Sequence, residues 1–259
     1  MSNQYSLLRL CKAICLFVIL GISAGVEAGF LGEDSWKEEV LLHDGSKLLI
    51  TRSQTYGGQH EIGQPPPIKE HTITFTLPGS SKTISWTSEY GKDLGRTNFF
   101  LLAVHVLKGT PYIVMEPNLC LSYNKWGRPN PPYVFFKYDG AAWQRIPLEE
   151  FPAEFSTVNV ALDIMGREVK RLVDLRLVSS ETIKDLNSHI DRSEVKTLLR
   201  GPVASAGKQC GEMVHVGNGR WIGKGWFRDQ PSRSACLTYC EKEKVPAELC
   251  PCRNLFKKE

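Results

Sequence analysis

The chain has 259 residues, of which 42% are hydrophobic, 23% charged and 10% aromatic. Those fractions exclude extended disorder, collagen and a multi-span membrane architecture, and the length allows one large domain or two modest ones. A formal net charge of +4 is too small to argue for nucleic acid as a partner.

Residues 1–28 read as a secretory signal. Arg9 and Lys12 form a positive start, a predominantly apolar run follows from Ala13 to Val26, and Val26-Glu27-Ala28 places small residues where signal peptidase reads them. That run is 14 residues long, shorter than the roughly 20 that a spanning helix needs, so cleavage before Gly29 is expected rather than a retained anchor. No Asn-x-Ser/Thr acceptor follows, which favours a bacterial envelope over a eukaryotic secretory route.

From residue 29 to 178 the pattern predicts an antiparallel β domain. Glu38 to His43 and Lys47 to Ser53 flank Asp44-Gly45, a strong hairpin signal. The loop from Thr55 to Pro67 carries three consecutive prolines. His71 to Leu77 alternates Ile73, Phe75 and Leu77 with threonines, as a half-buried strand does, and Pro78-Gly79 turns it into Lys82 to Thr87. Phe99 to Leu107 and Tyr112 to Met115 are more continuously apolar, as strands covered on both faces are. Tyr133 to Tyr138 and Trp143 to Ile146 flank Asp139-Gly140, and Arg171 to Val178 alternates like a last strand.

Residues 179–259 predict a helical and cysteine-rich region. Ser180 to Ile190 and Ser193 to Leu199 read as helices, with Asp191 and Glu194 spaced as a capping box. After a small-residue linker from Gly201 to Gly207, Asn218-Gly219 predicts a hairpin between Met213–Val216 and Arg220–Ile222; a cysteine-bearing helix follows from Ala235 to Lys244. Residues 200–259 hold 11 basic and 6 acidic side chains, net +5, while residues 29–199 hold 19 and 21, net −2. The fold class is therefore mainly β, α+β overall: an antiparallel β-sandwich or barrel-like domain followed by a small disulfide-stapled α/β tail.

Removing residues 1–28 leaves six cysteines in an oxidising compartment, which predicts three disulfides. Cys236 and Cys240 fall on one helix face, and Pro246 turns the chain back toward them. An antiparallel return pairs Cys240 with Cys250 and Cys236 with Cys252, leaving Cys120 for Cys210. The C-x3-C then C-x-C spacing also resembles the cystine-stabilised helix–strand unit of small defensin-like and toxin-like proteins. That resemblance implies Cys236–Cys250 and Cys240–Cys252 instead, with no function carried over. A zinc site from Cys210, His215, Cys236 and Cys240 is a further alternative on paper, although the spacing is not that of paired C-x2-C knuckles.

Motifs for chemistry are missing: no Gly-x-Ser-x-Gly, His-Glu-x-x-His, Cys-x-x-Cys or dinucleotide fingerprint occurs, and Gly217 to Gly225 reads as a glycine-rich hairpin rather than a phosphate loop. No cofactor is implied. The six histidines are scattered, His105 sits in an apolar strand where a satisfied core imidazole is expected, and Glu149 and Glu150 would face opposite ways on a strand. The segment with excess character runs from Tyr123 to Trp143 and holds seven aromatics in 21 residues. Tyr123, Asn124, Lys125, Trp126, Arg128 and Asn130 there form a proline-stiffened candidate recognition loop for a protein or carbohydrate, because rigid aromatics supply stacking area at low entropy cost. The competing expectation is that Trp126 and the prolines plug the end of the β core. The run from Asn124 to Pro132 (NKWGRPNPP) resembles a segment shared by uncharacterised exported bacterial proteins, which implies no activity.

The sequence thus points to an exported, periplasmic or extracellular, non-enzymatic binding or interaction protein. Its alternatives are a hydrolase of envelope polymer with an acid/base set that spacing does not reveal, and a purely structural envelope component.

Overall fold

Alternation of apolar and polar residues builds the first sheet. In β1 (Asp34–Leu41), Trp36, Glu38 and Val40 point inward, while Lys37 and Leu41 face out. β2 (Lys47–Tyr56), β3 (Ile68–Thr76) and β4 (Thr83–Ser88) follow the same period of two, and the four pair antiparallel in the order β1-β2-β3-β4. A register shift between Thr55 and Tyr56 marks a bulge at the start of β3. The computed structural model describes residues 32–257; the predicted signal segment, residues 1–28, lies outside them.

The short ladder of β5 (Tyr90–Gly91) and β6 (Arg96–Thr97) leads into the second sheet. Here β7 (Phe99–Leu107), β8 (Thr110–Pro117), β9 (Val134–Tyr138) and β10 (Trp143–Ile146) pair antiparallel in the order β10-β9-β8-β7. The continuous apolar run of β7 is buried on both faces from Leu101 to Val106. Side chains of both sheets share one core, among them Val40, Ile50, Ile73, Phe75, Trp86, Phe99, Val104, Ile113 and Phe136. Among the described residues the architecture is mainly β, with two four-stranded antiparallel sheets and no closed barrel.

At three points the edges of the two sheets are met by a side chain or a single bridge. At one seam Asn159 lies between β1 and β7: Val104 N–H donates to its Oδ1, and its Nδ2 donates to Val104 O and Leu41 O. Farther along β1, Val178 exchanges backbone bonds with Lys37 O and Glu39 N in a single parallel bridge. At the opposite seam the indole N–H of Trp143 donates to Ser85 O of β4.

Helices fill the rest. α1 (Leu119–Lys125) precedes β9. α2 (Arg167–Asp174) occupies the first half of the stretch where the sequence predicted a last strand over Arg171–Val178. Val169 and Leu172, three apart, are its buried residues, whereas Leu175 and Leu177 are about 40% exposed, so the apolar alternation there is incidental. α3 (Ser180–Ser188) starts on Ser179, whose hydroxyl accepts from Thr182 N–H. α4 (Ser193–Lys196) is a single turn, shorter than the predicted Ser193–Leu199. The predicted capping box is not formed: Arg192 is the N-cap residue, without a side-chain cap, and Asp191 pairs with Lys196. Glu149 and Glu150 lie in a 3-10 turn (Leu148–Glu150), not on a strand. Val195 and Leu198, beyond Val178, belong to the principal core.

In the tail, β11 (Met213–His215) and β12 (Trp221–Gly223) form the hairpin around Asn218-Gly219. The chain from Lys224 is helical, α5 (Lys224–Arg228), and α6 (Arg233–Lys242) carries Cys236 and Cys240. Cys252 opens α7 (Cys252–Leu255) instead of sitting on a return strand. Disulfides join Cys120 to Cys210, Cys236 to Cys252 and Cys240 to Cys250, so the pairing is the antiparallel one and not that implied by the toxin-like resemblance. Cys210, Cys236 and Cys240 are thereby bonded to sulfur, which leaves the paper zinc set without thiolates. Among the described residues, no helix is long and apolar enough to cross a membrane.

Candidate functional site

The segment from Tyr123 to Asn130 is not a free loop. Its first three residues close helix α1, and Trp126-Gly127-Arg128 ends the helix as a Schellman motif: Arg128 N–H donates to Tyr123 O and Gly127 N–H to Asn124 O. The turn needs a left-handed residue at position 127, and Gly127 supplies it at φ 88°. Pro129 follows the stop, and the Asn130–Pro131 peptide is cis.

This geometry aims most of the candidate recognition residues at the chain's own return segment, residues 203–213. Asn130 pairs with both backbone groups of Val203, accepting from its N–H at 2.7 Å and donating to its carbonyl at 3.2 Å. Arg128 donates to Gly207 O and Gly211 O, and its guanidinium lies over the Tyr123 ring. Asn124 donates to Gly211 O and accepts from Met213 N–H. Tyr123 is buried against Gly207, where any Cβ would overlap the ring. The Cys120–Cys210 disulfide fastens the same two segments covalently. Lys125 points elsewhere, to an ion pair with Asp93 at 2.8 Å. These side chains therefore form a clamp.

Trp126 sits on the other side of the turn. Its indole packs 4.4 Å from Phe99, meets Phe136 edge-on, and donates to Asn98 Oδ1. Half-buried at the end of the core, it acts as the plug that the sequence raised as the competing reading. Arg145 of β10 covers its outer face and donates to its carbonyl.

Beside Arg145 lies a hollow of about 440 Å³. Pro129, Asn130 and Pro131 form one wall, Pro147 and Leu148 the other, and Tyr133, Val134, Phe135 and Ile146 the floor. Asn130 and Arg145 are exposed at its rim. A second hollow, of about 390 Å³, opens between the β3–β4 turn, the β7–β8 turn and the end of β9, where Lys82 lies over Tyr138 and donates to Gly140 O. Neither hollow is lined by a histidine or by a glutamate.

The buried histidines and glutamates lie away from both. His71 donates from Nε2 to Phe99 O; burial and then the charge of Arg52 hold its pKa down to about 3. His105 donates to Thr157 O and stacks on Phe155 at 4.4 Å, and burial holds it down to about 4. Both are neutral core imidazoles. Glu116 is raised by burial against the opposing pull of Arg192, 2.8 Å away. Glu38, fully buried, accepts from Arg52 at 2.8 Å, from the Trp36 indole at 2.7 Å and from Ala161 N–H.

Sequence reasoning missed Asn159, Glu38 and Arg52. Glu38 and Arg52 carried a signal, since each occupies the inward parity of its strand, between Trp36 and Val40 and after Leu48 and Ile50. Asn159 carried none. Comparison of the chain with protein-family models, with curated proteins and with solved structures gave no match.

Proposed function

We propose that this protein is exported and acts as a non-enzymatic binding module, which takes an extended, acidic segment of a partner protein in the groove between Pro131 and Pro147. The observation that carries this reading is the groove itself. Its walls are prolines, which lose little freedom when a ligand binds, and Arg145 stands at its rim, steadied by the Trp126 ring and carbonyl. A guanidinium fixed in this way suits a carboxylate. Export is supported by the signal-like pattern of residues 1–28 and by three disulfides in the remaining chain.

A protein segment fits better than a carbohydrate. Sugars stack on open aromatic faces, but Tyr133 and Phe135 are only 3% and 5% exposed, and the outer face of Trp126 is covered. The test is cross-linking and mass spectrometry in bacterial envelope extract with the wild-type protein and Arg145→Glu. With a photo-reactive residue placed at Asn130 or Pro147 of each protein, a partner cross-linked there on the wild-type background and lost with Arg145→Glu, with unchanged melting, supports the reading. Equal capture by both proteins overturns it.

A further inference from the structure

The two tail disulfides are in contact with one another. Cys252 Sγ lies 3.4 Å from Cys250 Sγ and 3.6 Å from Cys240 Sγ, although its own bond is to Cys236. One sulfur of one disulfide thus touches both sulfurs of the other. Distances of this order are those from which a thiolate attacks a disulfide, so only the electron pair that an external thiolate would bring is lacking.

Burial decides where that pair enters. Cys236 and Cys252 are fully buried and Cys240 is 3% exposed, whereas Cys250 is half-buried at the turn before Pro251. Of these four sulfur-bearing residues, Cys250 is the one open to a reagent from solvent. We infer that Cys250 is a site of attack by a low-molecular-weight thiol, and that this attack opens an exchange between two disulfide pairings of the tail.

The steps balance without net oxidation or reduction. An external thiolate attacks Cys250 Sγ; a mixed disulfide forms there, the Cys240–Cys250 bond breaks and Cys240 leaves as a thiolate. Cys240 then attacks Cys252 Sγ, 3.6 Å away; the Cys240–Cys252 bond forms, the Cys236–Cys252 bond breaks and Cys236 leaves as a thiolate. Cys236 finally attacks the mixed disulfide at Cys250, forms Cys236–Cys250 and returns the external thiolate. The product carries the pairing of the cystine-stabilised helix–strand unit that the same spacing resembles. Both pairings use the same helix face, because Cys236 and Cys240 stand one turn apart on α6. The exchange therefore changes which residue of the Cys250–Cys252 turn each helical cysteine holds, and the thiol acts as catalyst.

Disulfide mapping of the intact, oxidised protein tests this. The folded chain is incubated with reduced glutathione at neutral pH, quenched with acid and digested without reduction, and the linked peptides, which hold Cys250 and Cys252 together, are resolved by partial reduction with stepwise alkylation and fragmentation. Expected are a glutathione adduct at Cys250 and peptides joining Cys236 to Cys250 and Cys240 to Cys252, with no peptide joining Cys120 or Cys210 to the tail cysteines. Reduction of the tail without the swapped peptides would overturn the inference. So would swapped peptides accompanied by tail links to Cys120 or Cys210, because such scrambling runs through the unfolded chain. A Cys240→Ser, Cys250→Ser double variant adds a second readout: its remaining Cys236–Cys252 bond should resist glutathione in the folded protein, and rapid reduction would show that burial does not protect it.

Discussion

Asn159 and Val104 are joined by two hydrogen bonds, from Val104 N–H to the side-chain oxygen at 2.9 Å and from the side-chain nitrogen to Val104 O at 2.8 Å. One amide side chain thereby does for the edge of β7 what a neighbouring strand residue would do, and its nitrogen also reaches Leu41 O of β1. Replacing Asn159 with Leu leaves those backbone groups buried without partners, and stability should fall by about 2–4 kcal/mol. Asn159→Asp should also destabilise, because a carboxylate would face two carbonyls. Urea denaturation of both variants measures this; a loss below about 0.5 kcal/mol would mean that water replaces the amide.

The Glu38–Arg52 pair is the second buried polar feature, and both side chains are nearly inaccessible to solvent. Arg52→Ala alone should cost about 3–5 kcal/mol, since it leaves a buried carboxylate whose cationic partner is gone. The double variant Glu38→Leu, Arg52→Met should recover most of that loss. A double-mutant cycle by chemical denaturation checks the coupling, and additive single effects would contradict it.

Acid should weaken the fold before ordinary carboxylates titrate. His71 and His105 are held neutral in the folded state, at about 3 and about 4, against an ordinary value near 6.5. The unfolded chain binds these protons first, so the stability they contribute is complete above pH 6.5 and is lost as pH falls toward the folded values. Each histidine adds a slope of about 1.4 kcal/mol per pH unit below about pH 6. His105→Gln should remove one such increment, visible as a shallower loss of unfolding free energy between pH 6 and 5.

The two sides of the Trp126 turn should separate in mutagenesis. Trp126→Ala removes the plug over Phe99 and should cost about 2–3 kcal/mol. Arg145→Glu, on an exposed side chain, should change stability by under about 0.5 kcal/mol. Gly127→Ala meets no atom within 4 Å, so its cost is that of the left-handed backbone alone, about 1–2 kcal/mol. Thermal melting of the three variants ranks them.

The strands of both sheets were legible because their side chains alternate or run apolar against a shared core. What misled was polarity matched by accident. Leu175 and Leu177 mimic a strand parity but are exposed, while helix α2 is set by Val169 and Leu172 packing on β1. Helix α1 is only seven residues long and overlaps the aromatic segment at Tyr123–Lys125, so it showed no helical period of its own. The candidate site was legible as an unusual cluster, but the direction of its side chains was not. Asn124, Arg128 and Asn130 find their partners about 70–90 positions away, as carbonyls and N–H groups that carry no residue identity.

The clamp accordingly reads backbone, not side chains. Residues 203–213 can drift in sequence and remain bound so long as their path is kept, with Gly207, which lies under the Tyr123 ring, and the bonded Cys210 as fixed points. Constraint falls on the holding side, where Asn124, Arg128 and Asn130 each serve two or more groups at once. In related chains the return segment should therefore vary freely while the short run from Asn124 to Asn130 stays nearly the same.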